Sequence, residues 1–122
     1  MTFRVDNEWG ELKRVIVGHG RNMHAPTSPE DAFDPTSFVH LKQGDYPSVD
    51  EVALQLDGLA ETLSNAGVEV LRPQDVPDLE QVFARDVGLV LEDQFFRSAM
   101  IENRQAEWQG VAPLVPEAAV RF

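Results

Sequence analysis

Among the side-chain types able to do covalent or acid–base chemistry, the missing one is the most informative. Cysteine is absent from the 122 residues. That excludes disulfides, thiolate metal sites and any thiol nucleophile supplied by this chain. Three histidines, His19, His24 and His40, fall in or beside one long proline-containing segment and read as ordinary loop histidines. What remains is carboxylate and guanidinium chemistry, at Phe83-Ala84-Arg85-Asp86 and at Arg104 with Glu107 three residues later. An acidic residue at a strand entry beside an aromatic can hold a cation. Spacing alone favours a plainer role for Asp86, as a surface partner of Arg85 or a turn cap. Arg104 and Glu107 stand at the i, i+3 separation that lets two helical side chains pair.

The elements that must position these residues follow from periodicity. Leu12 to Val17 is a short apolar run rich in β-branched residues, closed by Gly18 and Gly20, and predicts a strand buried on both faces. From His19 to Pro47 there is little periodicity and there are four prolines, so this stretch predicts a long loop, either a substrate lid or a plain surface insertion. Ser48 and Glu51 then form an S-x-x-E capping box. Val49, Val52, Ala53, Leu56, Leu59, Ala60, Leu63 and Ala66 follow at spacings of three and four, which predicts an amphipathic helix over 49–66, roughly 27 Å long, stopped by Gly67. Val68 to Leu71 predicts a second strand. Val87 to Leu91 and Phe95 to Met100 predict a hairpin joined around Glu92-Asp93-Gln94. A helix is expected over 102–109, ended by Gly110, and the tail after it carries no recognisable element. The order is α/β or α+β material, with too few strands to cover their own sheet edges.

Composition narrows the function classes. Hydrophobic residues at 43% and charged residues at 25% belong to an ordinary globular protein, and the length suits one domain. Asp and Glu outnumber Lys and Arg by 21 to 10, a formal net charge of −11, which repels phosphate backbones and argues against nucleic acid as a partner. The same charge favours a cationic ligand or simply keeps the protein soluble. No apolar run is long enough for a membrane span and no signal segment is visible, so a cytoplasmic protein is expected.

Taken in order, several short motifs share one likeness. Asn7-Glu8-Trp9-Gly10, Leu12 and Val15-Ile16-Val17-Gly18 resemble the opening of amidinotransferases. Ala66-Gly67-Val68-Glu69-Val70 with Arg72-Pro73 resembles that family's helix end and second strand. Phe83-Ala84-Arg85-Asp86 resembles its aromatic-x-R-D motif, followed by a hairpin, and Arg104 with Glu107 resembles its R-x-x-E. The likeness extends to arginine deiminases and dimethylarginine hydrolases, and the N-E-W opening places the transferases nearest.

The resemblance implies a pentein fold, a five-bladed α/β propeller of ββαβ-like modules. Residues 1–122 would form a single N-terminal portion, roughly the first module and part of the second. It implies an arginine-like guanidino substrate attacked by a cysteine thiolate, with a histidine acid/base and a covalent thiouronium intermediate resolved by an amine or, in the hydrolases, by water. No cofactor is implied. Asp86 matches the position that orients the substrate guanidinium. Arg104 matches a position that in the dimethylarginine hydrolase branch holds the substrate carboxylate, beside its plain reading as a helix-surface partner of Glu107. Phe83 would line the pocket or pack in the core, and Trp9 would brace the first strand. The family's histidine and cysteine lie in later modules, so this chain is not expected to act alone; the remainder of the enzyme or a second chain would supply them. The alternative class is a non-catalytic binding module that forms a homo-oligomer to cover its sheet edges.

Overall fold

In the computed structural model, Arg14–Ile16 forms strand β1 and Glu69–Leu71 forms strand β2, lying side by side and parallel. Arg14 faces Glu69, Val15 faces Val70 and Ile16 faces Leu71. The structure describes residues 2–21, 23, 28–32 and 34–122. Parallel strands require a crossover, here built from two helices, α1 (Pro35–Gln43) and α2 (Val49–Asn65). At the start of α2 the capping box is complete: Ser48 Oγ accepts from the Glu51 N–H and the Glu51 carboxylate accepts from the Ser48 N–H at 2.8 Å. Gly67 follows with φ of 88°, the left-handed conformation that a glycine adopts without strain.

Two sequence expectations need correction in this half. The strand expected over 12–17 is shorter, and Leu12 is half exposed. The described part of the segment 19–47 is not a plain loop. Asp34 caps α1 by accepting from the Ser37 N–H, Pro35 occupies the first turn, where its missing N–H costs no hydrogen bond, and Gly44 closes the helix at φ of 77°. The prolines that seemed to forbid helix mark where this one begins.

The second half is a hairpin with additions. Strands β3 (Gly88–Leu91) and β4 (Gln94–Arg97) pair antiparallel around the two-residue turn Glu92-Asp93. No glycine stands there, and Glu92 takes the positive φ, 52°, that the tight turn demands. The expected helix over 102–109 divides into a 3-10 turn, Glu102–Arg104, and a short helix α3, Glu107–Val111. Gly110 lies inside α3, against the Gln81 side chain and Gln74 carbonyl, and does not end it. The tail also acquires structure, because Val120–Arg121 forms β5, which pairs parallel to β4 with Val120 opposite Phe95. The core lies under this half: Val87, Phe95, Val111 and Val115 are buried together, with Ile16, Met100 and Trp108 packed around them. By contrast α2 buries no residue, and Leu54 and Leu59 on it are exposed.

Candidate functional site

Asp86 ends the 3-10 turn Ala84–Asp86 that leads into β3, and Arg104 ends the turn that leads into α3. The fold brings these two together across 18 residues of chain. Arg104 Nη1 donates to Asp86 Oδ2 at 3.0 Å, while Nε and Nη2 donate to the two oxygens of Glu107 at 2.8 and 3.0 Å. The second contact is the two-pronged geometry that a planar guanidinium shares with a carboxylate. Glu107 is 3% exposed and Arg104 is partly buried. The Glu107 hydrogen bonds, seconded by Asp86, outweigh burial and push the Arg104 guanidinium further above its ordinary value.

Asp86 is not consumed by this contact. Its Oδ1 lies 3.8 Å from Arg85 Nε, too far for a hydrogen bond, and Arg85 stands out in solvent. That oxygen carries no hydrogen bond among the described residues and sits on a half-exposed side chain. Glu80 adds a further carboxyl nearby. Burial, and then the neighbouring Glu107 charge, hold it above the usual carboxylate range, with Arg104 pulling the other way. Asp34, the cap of α1, contributes to the same field. The Tyr46 hydroxyl is likewise raised, by burial and then by Glu80. Asp34 and Tyr46 therefore bring part of the segment 19–47 to this site. Two carboxylates, Asp86 and Glu107, accept from one guanidinium, and Glu80 lies close enough to feel the charges of Glu107 and Arg104.

The structure brings together Asp86, Arg104 and Glu107 and sets aside other expected residues. Arg104 does pair with Glu107, as its plain reading expects, whereas Arg85 approaches Asp86 only to 3.8 Å. Phe83, beside Asp86, is 48% exposed and is not a core aromatic. Trp9 is 87% exposed and braces no strand; the Asn7 carboxamide oxygen instead accepts from the Trp9 and Gly10 N–H groups in a local turn. His40 rides on α1 and contacts Asp45 at 3.0 Å. His24 lies outside the described residues.

His19 corrects the reading of the histidines most sharply, since it is buried. Its backbone N–H donates to the Gln81 carbonyl, its Nδ1 lies 3.7 Å from Asp75, and its Nε2 has no hydrogen-bond partner among the described residues. Burial first, then the nearby Arg72 and Arg21, lower its pKa, and Asp75 opposes them. Gly18 beside it runs against the Gln81 and Val82 carbonyls, an approach closed to any residue with a Cβ. Arg72 locks the same corner by donating to the Val17 and Gly18 carbonyls at 3.1 and 3.0 Å and to Asp57 at 2.9 Å.

Glu80 and the burial of Glu107 escaped the sequence reading. No local pattern marks Glu80; its environment depends on burial and on the charge of Glu107, far along the chain. Among the described residues no group of three or more potential metal ligands forms, and no helix is long and apolar enough to cross a membrane. No protein-family model matches the chain.

Proposed function

We propose that Asp86 belongs to a guanidinium-binding site and that this chain is part of a guanidine-modifying enzyme, an amidinotransferase acting on an arginine-like substrate. The supporting observation is that Asp86 offers one oxygen to the guanidinium of Arg104 and leaves the other exposed, within a set of carboxyls that exceeds its single internal cation. A second guanidinium approaching that oxygen finds an acceptor already oriented, because Arg104 and Glu107 fix the carboxylate from behind. In this role Arg104 is a positioning residue, and its donors on Glu107 and Asp86 are not available to a substrate carboxylate. The thiolate that attacks the guanidinium carbon and the histidine that protonates the departing amine come from outside these 122 residues, since the chain has no cysteine. The same reading takes the crossover unit and the hairpin as the first module and part of the second in a pentein-type propeller. A hydrolase of the same kind, resolving the intermediate with water, uses Asp86 identically.

A different class of function, a non-catalytic module that assembles with copies of itself, draws on the apolar surface left open on α2. Sedimentation of the chain separates the two: a discrete oligomer supports assembly and a monomer counts against it.

Titration of the isotopically labelled chain with arginine and with methylguanidinium tests the guanidinium reading. Both should shift the backbone signals of residues 83–87 saturably, with norleucine giving no shift. Asp86→Asn should abolish the response. Because a bound cation favours ionised Glu80, affinity should rise as pH rises through the elevated Glu80 titration, and Glu80→Gln should flatten that rise. Shifts that survive Asp86→Asn contradict the assignment.

A further inference from the structure

A cleft of about 410 Å3 opens between the end of β4, the following residues 98–100 and α3. Its walls include Val87, Arg97, Ser98, Met100, Gln105 and Trp108; neither Asp86 nor Arg104 lines it. The volume falls in the range of small-molecule sites, and the lining has their usual character, an apolar wall with a few polar groups.

Arg97 is the unusual member. Six of the chain's eight arginines, Arg4, Arg14, Arg21, Arg72, Arg85 and Arg104, lie within 4.0 Å of a carboxylate oxygen. Arg97 does not, although the chain carries 21 acidic residues. Its guanidinium carbon lies 5.0 Å from the centre of the Trp108 ring and 5.6 Å from that of Phe122, and no hydrogen bond or ion pair joins it to any described residue. Aromatic rings attract a guanidinium through their faces but leave its N–H fork unsatisfied. A permanently charged group is thus partly buried at the wall of a cleft, its donors bonded to no described residue. Of the two rings, Trp108 packs against the core through Phe95, the ring centres 5.7 Å apart, whereas Phe122 is 93% exposed.

We propose that this cleft binds a small organic carboxylate with a flat apolar body. The carboxylate takes the fork of Arg97 in paired hydrogen bonds, and the body lies against Trp108 and Met100. The long-range field of a chain with net charge −11 opposes any anion, so recognition rests on the short-range fork and on apolar contact. This selects singly charged ligands over phosphates. The inference is independent of the guanidinium reading, and either can fail alone.

The probe is benzoate, with benzamide as its neutral isostere, added to the 15N-labelled chain. Benzoate should shift the Arg97 Nε–H and the Trp108 indole N–H saturably and leave the exposed Trp9 indole unmoved. Benzamide should bind at least about tenfold more weakly, the scale of one charge-assisted pair. Arg97→Gln should abolish benzoate binding while its spectrum elsewhere stays that of the parent. Arg97→Lys retains the cation and removes the fork, so it should weaken binding about tenfold, and it decides the matter alone should the glutamine variant fail to fold. Equal binding of benzamide, unchanged binding in Arg97→Lys, or no saturable shift with benzoate overturns the proposal.

Discussion

The crossover half and the hairpin half each hold a partly buried arginine, and the two are held by different partners. In the crossover half Arg72 donates mainly to backbone carbonyls, those of Val17 and Gly18, with Asp57 as its one carboxylate. Its donors satisfy oxygens that the bend after β1 would otherwise leave unpaired, and burial lowers the pKa of the neighbouring His19. That is a structural corner. In the hairpin half Arg104 donates only to carboxylates, and Glu80 stands by as a third. One arginine meets a single carboxylate and two backbone carbonyls, whereas the other meets two carboxylates. The excess stands at the entry to β3, where Asp86 reaches solvent.

Disrupting the carboxylate set should have the largest effect. Glu107→Leu removes the buried partner and leaves Arg104 with Asp86 alone; breaking a buried pair costs about 3–5 kcal/mol. Arg104 keeps some access to water, so a loss near the lower end, about 3 kcal/mol, is expected in urea unfolding. A loss below about 1 kcal/mol would mean that the network does not organise the hairpin half. The crossover half should reveal itself through pH. Burial depresses the His19 pKa in the folded state below its unfolded value of about 6.5. The folded protein therefore binds fewer protons than the unfolded chain below that pH, and stability is full above pH ~6.5 and falls as pH drops toward the folded-state pKa. His19→Gln should flatten that part of the stability curve. An unchanged slope would place its origin elsewhere. The smallest effect belongs to Asp86→Asn, which alters a half-exposed contact and should cost under about 1 kcal/mol of stability. A residue whose loss barely affects folding yet abolishes guanidinium binding is what the contrast between the halves requires of Asp86.

How much of this was legible in the sequence depends on the range of the interaction. The S-x-x-E box and the three–four spacing fix α2 because both signals lie within the helix, and the Arg104–Glu107 pair could be read as i, i+3. The helix α1 had its own local signals, Asp34 before Pro35 and Gly44 after Gln43, yet the prolines around it obscured them. Long-range facts were out of reach. Nothing near Asp86 foretells Arg104, nothing near Glu80 foretells Glu107, and β5 is two residues that become a strand only because β4 is beside them. His19 read as a loop histidine because burial is a property of what packs over it, here Gln81 and Arg72.

The most direct test of the central claim empties the cradle and refills it. Arg104→Ala removes the internal guanidinium and leaves Asp86 and Glu107 without their shared cation, which should lower the melting temperature. Methylguanidinium at low millimolar concentration should restore much of the loss, and methylammonium of equal charge should restore far less, because only the planar fork meets Glu107 with two hydrogen bonds and reaches Asp86 with a third. Equal rescue by both cations, or by neither, would contradict the account, since the carboxyls would then be a site for charge alone or no site at all.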